Sequence, residues 1–254
     1  MKVTRTIAEL ETHAGTGLVP TMGALHAGHL ALLAAAREEN DSVVMSLFVN
    51  PAQFDEQADL EAYPRDEDRD LEIAREAGVD VVFAPAAAEL YPAGFATWVE
   101  PEETGAEGAA RAGHFRGVAT VCLKLFNLVR PERAYFGQKD AQQVSVIRHL
   151  VRDLNVPVEI RVVPTVRDPD GLALSSRNRR LSSAERERAL ALPRALESAA
   201  TSADPVAATR AALNGLEPEY VELLDLGEAK VLAAAVRVGS TRLIDNVLVE
   251  GELR

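Results

Sequence analysis

The sequence predicts an α/β fold, in which a parallel sheet with helices on both faces is followed by a smaller C-terminal α+β domain. Short apolar runs alternate with helix-forming segments through about the first two-thirds of the 254 residues, as in parallel sheets wrapped by helices. Residues 42–49 form a continuous apolar run, which is typical of a parallel strand buried on both faces. After about residue 165 the alternation stops, and Ala-rich segments precede three strand-like runs.

The individual elements follow from periodicity and turn signals. In the first part, strands are predicted over residues 18–21, 42–49, 79–83, 134–136 and 158–163. Helices are predicted over 27–40, 66–77, 116–129 and 141–154, and residues 85–113 are expected to be irregular. In the second part, the capping-box pattern Ser182-Ser183-Ala184-Glu185 opens one helix, and residues 205–213 form another. Strands are expected over 220–226, 234–238 and 242–249.

The composition excludes several classes of protein. A net charge of −12 argues against nucleic acid or an anionic membrane as the main partner. The single cysteine, Cys122, cannot form a disulfide within the chain, which fits a reducing compartment. No apolar run reaches the length of a membrane span, and residues 1–10 lack the apolar core of a signal peptide. We therefore expect a cytoplasmic protein that binds neither nucleic acid nor membranes.

The turn after the first apolar run carries a pattern that suits phosphate binding. Residues 20–29 read Pro-Thr-Met-Gly-Ala-Leu-His-Ala-Gly-His and lead from a strand into a segment of strong helix formers. A helix N-terminus attracts phosphate because its N–H groups are free and its dipole is positive there. His26 and His29 share one face of the first helical turn. They can donate hydrogen bonds to phosphate or titrate near neutral pH.

Polar side chains follow two further strands. Asn50 and Gln53 come after the second strand, and their uncharged amides suit a ligand with hydroxyl and carboxylate groups. Lys139 follows Gly137 at a predicted helix start, where a cation opposes the helix dipole unless a phosphate is bound. Gln143 lies one helical turn further along, on the same side.

A basic segment stands out in this acidic chain. Residues 174–180 read Leu-Ser-Ser-Arg-Asn-Arg-Arg, and hydroxyl and guanidinium groups together suit phosphate, although a basic flank of the next helix is the alternative interpretation. Residues 113–117 add a histidine and an arginine between two glycines. Together these stretches predict a binding site for a nucleoside triphosphate. The sequence contains neither a Walker A motif nor a Gly-x-Gly-x-x-Gly motif. No side chain stands out as a covalent nucleophile, so attack on phosphorus by a substrate oxygen is the expected chemistry.

The segment His26-Ala27-Gly28-His29 resembles the His-x-Gly-His signature of the adenylyltransferase-like Rossmann superfamily. A larger set of motifs, in this order, is similar to the pantoate–β-alanine ligase (pantothenate synthetase) family. The set comprises residues 20–29, Phe-Val-Asn-Pro-Ala-Gln-Phe at 48–54, Tyr-Pro-Arg at 63–65, Gly-His-Phe-Arg-Gly at 113–117, Gly-Gln-Lys-Asp at 137–140 and Leu-Ser-Ser-Arg-Asn at 174–178. The resemblance implies a Rossmann-like domain over residues 1–165 that binds ATP and pantoate, and a smaller lid domain over residues 166–254.

The resemblance also implies a reaction and its residues. ATP and pantoate form pantoyl adenylate and pyrophosphate, and β-alanine then displaces AMP to give pantothenate. Catalytic roles are implied for His26, His29 and Lys139, with His29 as proton donor. ATP contacts are implied for Met22, Gly23, Ala24, Leu25, His26, Ala27, Gly28, His29, Gly137, Gln138, Lys139, Asp140, Val166, Leu174, Ser175, Ser176 and Arg177. Contacts with pantoate or β-alanine are implied for Met22, Asn50, Gln53 and Gln143, and His114 and Arg116 are further candidates.

The family implies Mg²⁺ and a homodimer as well. Its members often carry neighbouring acidic residues after Tyr-Pro-Arg, whereas here Arg69 separates Asp68 from Asp70. The protein ligands of Mg²⁺ are therefore left unassigned, and ATP phosphates and water are its expected ligands. Two alternatives stay open. One is another adenylyltransferase of this superfamily, which leaves AMP on a phosphorylated acceptor, and the other is a nucleotide-binding module without turnover.

Overall fold

A parallel sheet forms the larger part of the fold. The computed structural model describes residues 1–11, 13–55, 57–102 and 105–253. Within these ranges the large sheet has six strands: β1 (Lys2–Thr4), β2 (Thr16–Thr21), β3 (Ser42–Leu47), β4 (Val81–Phe83), β5 (Arg133–Gly137) and β6 (Glu159–Val163). Their order is β1-β4-β3-β2-β5-β6, and every neighbouring pair is parallel. The predicted fold class is confirmed, while β1 is a strand that the sequence pattern does not predict.

Strand order places a switch point at the centre of the sheet. From β2 the chain moves to β3 and β4 on one side, and it then crosses to β5, which pairs with β2 on the other side. In open parallel sheets, ligands bind at the carboxyl ends of the strands where the order reverses. The turns after β2 and β5 are therefore the expected walls of a ligand site.

The predicted helices agree with the structure to within a few residues, whereas Gln57–Ala62 is a helix where a loop is predicted. In the described ranges they are α1 (Ala27–Glu39), α2 (Gln57–Ala62), α3 (Glu67–Glu76), α4 (Ala87–Leu90), α5 (Ala106–Ala110), α6 (His114–Val129), α7 (Ala141–Asp153), α8 (Ser183–Ala189), α9 (Ala191–Ala199) and α10 (Pro205–Ala212). The expectation that residues 85–113 are irregular is wrong for α4 and α5, and residues 103 and 104 lie outside the described ranges. No helix in the described part of the chain is long and apolar enough to cross a membrane.

Both faces of the large sheet are covered. Leu18 packs in a cluster with residues of α6 and α7, and the next residue of β2, Val19, packs with residues of α1 and α3. Successive strand residues point to opposite faces of a sheet, so the two clusters lie on opposite sides of β2. The continuous apolar pattern of β2 and β3 follows from this burial.

The C-terminal part forms a small antiparallel sheet. Its strands are β7 (Pro218–Asp225), β8 (Ala229–Val238) and β9 (Thr241–Gly251), with β8 in the middle. One face packs against apolar residues of α9 and α10. On the other face, Val231 and Ala233 pack with Ala106 of α5 and Ala141 of α7. The small sheet thus lies directly against helices that flank the large sheet.

Candidate active site

A cavity, called here the central cavity, opens at the carboxyl ends of β2 and β5. Residues that follow four parallel strands line it, and so do residues of the small sheet. They include Met22 and His29 after β2, Gln53 after β3, Lys139 after β5, Val166 after β6, and Arg242 and Asn246 of β9. The cavity therefore lies at the switch point of the parallel sheet, with the small sheet forming part of its wall.

The turn after β2 is held from behind by a buried carboxylate. Asp70 of α3 is 3% exposed and accepts hydrogen bonds from the backbone N–H groups of Ala24 and Leu25, each at 2.8 Å. Ala24 has a positive φ of 52°, and Gly23 has one of 82°, a region that L-residues rarely adopt. A Cβ on Gly23 would lie 2.7 Å from an Asp70 oxygen, so this close approach requires glycine.

His26 and His29 cap the start of α1 through their ring nitrogens. The N–H of Gly28 donates to Nδ1 of His26 at 3.2 Å, and the N–H of His26 donates to Nδ1 of His29 at 3.3 Å. A nitrogen that accepts a hydrogen bond carries no proton, so each ring holds its proton on Nε2. Both rings line the central cavity. They can therefore offer a neutral Nε2–H to a ligand.

The surroundings keep both imidazoles neutral. Burial, with Lys139 and Arg179 nearby, lowers the pKa of His26 to about 4. Burial, with His26 and Lys139 nearby, lowers the pKa of His29 to about 3. The expectation that these rings titrate near neutral pH is therefore wrong for the protein without ligand. Lys139 and Arg179 also give this part of the cavity a local positive charge that attracts anions, although the whole chain is acidic.

Lys139 lies in a short 3-10 helix, Gln138–Asp140, immediately before α7. Its side chain is 19% exposed, and its Nζ lies 3.5 Å from a carboxylate oxygen of Asp140. The amide nitrogen of Asn246 in β9 donates to the backbone oxygens of Gln138 and Lys139, at 3.0 and 2.8 Å. The small sheet thus fixes the loop that carries this lysine.

The basic segment lies at the start of another 3-10 helix, Ser176–Arg180. The Ser175 hydroxyl accepts a hydrogen bond from the N–H of Arg177 at 3.3 Å. The Arg177 guanidinium donates to Asp59 of α2 at 2.9 Å. All three residues of the predicted phosphate-binding segment, Ser175, Ser176 and Arg177, line the central cavity. Asp59 therefore accepts from one nitrogen of the guanidinium group for which the sequence predicts phosphate binding.

The Gln53 amide at the cavity wall is held by contacts at both of its ends. Its Oε1 accepts from Asn50 at 3.0 Å, and its Nε2 lies 3.0 Å from the Met22 sulfur. Gln143 of α7 also lines the cavity. The structure therefore brings together Met22, Asn50, Gln53 and Gln143, the residues predicted for the organic substrates.

His114 and Arg111 hold the backbone of Gln53. Nδ1 of His114 lies 2.8 Å from the Gln53 carbonyl oxygen, and Nη1 of Arg111 lies 3.3 Å from Nε2 of His114. These contacts fit a neutral ring that donates from Nδ1 and accepts at Nε2. Burial beside Arg111 lowers the pKa of His114 to about 4. Arg116 lies elsewhere, since it pairs with Glu100 at 3.1 Å.

Most of the predicted ATP residues line the central cavity, and five do not. Those at the wall are Met22, His26, Gly28, His29, Gly137, Lys139, Asp140, Val166, Leu174, Ser175, Ser176 and Arg177. Those outside the wall are Gly23, Ala24, Leu25, Ala27 and Gln138. Ala24 and Leu25 are buried behind the turn, so the contribution of these two residues is to shape the backbone.

Sequence reasoning misses several residues that build the site. Besides Asp70, a buried network joins α5 to the small sheet. Glu107 of α5 accepts two hydrogen bonds from Arg242, at 2.6 and 3.0 Å, and one from Tyr220 at 2.9 Å. These three residues are far apart in the chain and belong to no local motif. Only the fold brings them together.

The carboxylates of the site do not form a cage for a metal ion. Among the described residues, no group of three or more His, Cys, Asp or Glu side chains is placed to hold one. Asp70, a candidate in the acidic region, already accepts from two backbone amides. This arrangement fits Mg²⁺ only as an ion that is bound mainly through substrate phosphates and water.

Comparison with known proteins gives a consistent result. The family model described as pantoate-beta-alanine ligase matches residues 1–248. The chain is 50% identical to the pantothenate synthetase of Roseiflexus castenholzii, with 98% of this chain and 100% of that protein covered. It is 52% identical to the pantothenate synthetase of Moorella thermoacetica, with 92% and 90% covered.

A solved structure agrees over the whole fold. The pantothenate synthetase of Thermus thermophilus superimposes with a TM-score of 0.93 at 45% identity, and the match covers 98% of this chain and 99% of that one. The ligase of Francisella tularensis, solved with beta-gamma ATP and β-alanine, gives a TM-score of 0.86 at 36% identity, with 99% of each chain covered. The chain belongs to the pantoate–β-alanine ligase family.

Proposed function

We propose that the chain condenses pantoate with β-alanine to pantothenate, using ATP and releasing AMP and pyrophosphate. One observation carries the proposal beyond family membership. His26, His29 and Lys139 line the same cavity as Gln53 and Gln143, so groups suited to phosphate face groups suited to a hydroxy acid. A carboxylate and the α-phosphate of ATP can therefore meet between them, which turns a reaction between two molecules into a step within one complex.

The first step activates the acid. A carboxylate oxygen of pantoate attacks the α-phosphorus of ATP, the bond to the bridging oxygen breaks, and pyrophosphate leaves with the electron pair. Negative charge grows on that leaving group. Lys139, the two neutral Nε2–H groups and Arg177 are the donors that stabilise it. Arg177 donates one guanidinium N–H group to Asp59, and its remaining N–H groups can serve the leaving group.

The second step forms the amide. The free amine of β-alanine attacks the acyl carbon of pantoyl adenylate, AMP leaves as a phosphate anion, and the amine loses a proton. Attack on an unactivated carboxylate would have to expel an oxide ion, which is a very poor leaving group. AMP is a much better one, and this difference explains the need for ATP. Arg242 and Asn246 of the small sheet form part of the cavity wall, and this cover limits hydrolysis of the adenylate by water.

The amides define the pantoate side of the cavity. Gln53 and Gln143 can hydrogen-bond the hydroxyl and carboxylate groups of pantoate. Met22 and Phe136 line the same region and offer apolar surface to its methyl groups. When bound, Mg²⁺ would neutralise charge on the ATP phosphates. Asp140, a carboxylate at the cavity wall beside Lys139, would hold the ion directly or through water.

We further propose how the protein is organised. Residues 1–165 and 166–254 act as two domains, because each contains its own sheet and apolar cluster, and the second serves as a lid over the cavity. The protein works as a cytoplasmic homodimer. Sedimentation of the purified protein tests the dimer, and a monomer at micromolar concentration would contradict it.

Product analysis tests the proposed reaction against the alternatives. Incubation with ATP, Mg²⁺, pantoate and β-alanine should yield free AMP and an amide whose mass equals that of the two acids minus water. An adenylyltransferase that needs a phosphorylated acceptor would form no amide in this mixture, and it would give a stable dinucleotide once such an acceptor is added. A binding module without turnover would leave ATP intact. Either result would overturn the proposal.

A further inference from the structure

We infer that Tyr91 is a positioning residue for the proposed reaction. Through Asn50, it holds the Gln53 amide with its N–H end towards the central cavity. The inference rests on the proposed function and deepens it, because it states which chemical group of the substrate Gln53 recognises. Tyr91 is absent from the cavity wall, and its hydroxyl reaches the site only through the buried amide of Asn50.

Asn50 is the centre of this arrangement. It is 1% exposed. Its Oδ1 accepts from the Tyr91 hydroxyl at 2.9 Å and from the N–H of Ala52 at 3.2 Å. Its Nδ2 donates to the Gly117 carbonyl oxygen at 3.1 Å and to Oε1 of Gln53 at 3.0 Å. These partners fill the two acceptor and two donor positions of the amide. Asn50 therefore acts on a substrate through Gln53 rather than by direct contact.

Two backbone contacts favour the same orientation of the Asn50 amide as the Tyr91 hydroxyl does. A rotated amide would place its NH₂ against the N–H of Ala52 and its oxygen against the Gly117 carbonyl, and both pairs repel. Gly117 can approach this closely because it lacks a side chain, since a Cβ there would lie 2.2 Å from the Ala52 oxygen. The glycine that closes the Gly-His-Phe-Arg-Gly segment is thus part of the same arrangement.

The orientation of Asn50 sets the polarity of Gln53. Because Oε1 of Gln53 accepts from Asn50, its Nε2 is the end that lies towards Met22, 3.0 Å from the sulfur. A thioether is a weak acceptor, so a substrate oxygen can replace it. The backbone of Gln53 is held as well, because its carbonyl oxygen lies 2.8 Å from Nδ1 of His114 and 3.3 Å from a guanidinium nitrogen of Arg111. Gln53 therefore presents a donor, which selects a carboxylate or hydroxyl oxygen and disfavours an ammonium group.

Tyr91 is itself well anchored. Its ring stacks on Trp98, with ring centroids 5.8 Å apart, and meets Phe95 edge-on at 5.1 Å. Burial raises the pKa of its hydroxyl, so this group stays a donor across the physiological range. Removing the hydroxyl leaves the ring in place and frees one acceptor position on Asn50. The buried Asn50 oxygen then keeps only the Ala52 N–H as a donor, so the amides of Asn50 and Gln53 are held less firmly, while the phosphate side of the cavity is untouched.

The test is a double-mutant cycle on steady-state pyrophosphate release from ATP and pantoate at saturating β-alanine. Tyr91→Phe should raise the KM for pantoate about tenfold, which corresponds to about 1.4 kcal/mol, and leave kcat and the KM for ATP within about twofold. In a Gln53→Ala background the same substitution should have no further effect, because the amide it orients is missing. Phe95→Leu is the matched control, since it loosens the aromatic cluster but keeps the hydroxyl, and it should leave the KM for pantoate unchanged.

Several outcomes would overturn the inference. Equal effects of Tyr91→Phe in both backgrounds, equal losses for ATP and pantoate, or an unchanged KM for pantoate would each refute the positioning role. Gln53→Glu gives a second readout, because it replaces the donor by an oxygen and should weaken pantoate at least as much as Gln53→Ala. Wild-type protein without pantoate-dependent pyrophosphate release would overturn the proposed function and this inference together.

Discussion

The backbone N–H of His26 donates to Nδ1 of His29 at 3.3 Å, so the two histidines of the turn after β2 form one capping arrangement. Each ring uses Nδ1 for the helix start and keeps Nε2–H for the cavity. Their pKa values of about 4 and about 3 make them neutral hydrogen-bond donors when ATP arrives. In the proposed reaction, Lys139 and Arg177 would neutralise charge on the pyrophosphate, and the imidazoles would orient the phosphates.

Removal of the His29 imidazole or of the Lys139 ammonium group should slow adenylate formation. His29→Ala and Lys139→Ala are each expected to reduce the rate by two or more orders of magnitude, about 3 kcal/mol in the barrier, as for loss of a positioned charge-stabilising group. Stopped-flow or quenched measurement of pyrophosphate release gives these rates. His149→Ala and Lys230→Ala are the controls, because both side chains are exposed and lie outside the cavity wall. Near-wild-type rates in the first pair would refute the assigned roles.

The buried ring of His114 should make stability depend on pH. Its folded pKa of about 4 lies below the unfolded value of about 6.5, so only the unfolded chain takes up a proton between these values. The stabilisation is present above pH 6.5 and is lost as the pH falls towards 4. Between pH 7.5 and 5.0 the free energy of unfolding should fall by about 2 kcal/mol from this group.

Urea unfolding of wild type and His114→Gln at both pH values isolates that contribution. The variant lacks the titrating ring, so its pH-dependent loss of unfolding free energy should be about 2 kcal/mol smaller than that of wild type. The contributions of the other titrating groups cancel in this comparison. An identical pH-dependent loss in the two proteins would show that His114 titrates normally in the folded state.

Asp70 should act as a support for the phosphate-binding turn and not as a metal ligand. Asp70→Asn places an NH₂ against one of the N–H groups of Ala24 and Leu25. We expect a loss of about 1–3 kcal/mol in unfolding free energy and a higher KM for ATP, with the half-saturating Mg²⁺ concentration unchanged. Asp68→Asn, at an exposed position of the same helix, should change none of these quantities. A selective rise in the Mg²⁺ requirement of the Asp70 variant would argue for direct ligation.

Glu107 and Arg242 should hold the small sheet against α5. Glu107→Ala removes the buried acceptor of Arg242 and Tyr220, whereas Glu219 still pairs with Arg242 and Asp55 with Arg111. We therefore expect a cost of about 1–3 kcal/mol. Glu250→Ala breaks the exposed pair with Lys230 and should cost less than about 1 kcal/mol. Urea denaturation compares the two variants. A similarly small effect at both sites would mean that the Glu107 network does not stabilise the contact between the sheets.

Local patterns explain why much of the fold and part of the site could be predicted. The turn at residues 20–29 and the Lys139 loop each combine a strand end, glycines and polar groups within a few residues, so sequence reading finds both. β1 is missed because it has three residues, Lys2–Thr4, and is defined by pairing with distant β4. A run of that length carries no periodicity.

Contacts between distant segments explain what could not be predicted. Asp70 lies 46 residues from Ala24, and Glu107 lies 135 residues from Arg242, so no local pattern reports either contact. The role of Asn50 likewise depends on residues that are distant in the chain. Its residue type indicates polarity at a strand end, but its role depends on Tyr91 and Gly117, which the fold places around it.

Pyrophosphate release in the absence of β-alanine tests the central claim most directly. If the cavity joins pantoate to ATP before the amine reacts, mixing the protein with ATP, Mg²⁺ and pantoate should release a rapid burst of about one pyrophosphate per active site, with AMP retained as the adenylate. Addition of β-alanine should then release AMP and the amide. No burst without β-alanine, or a burst that does not require pantoate, would contradict the account.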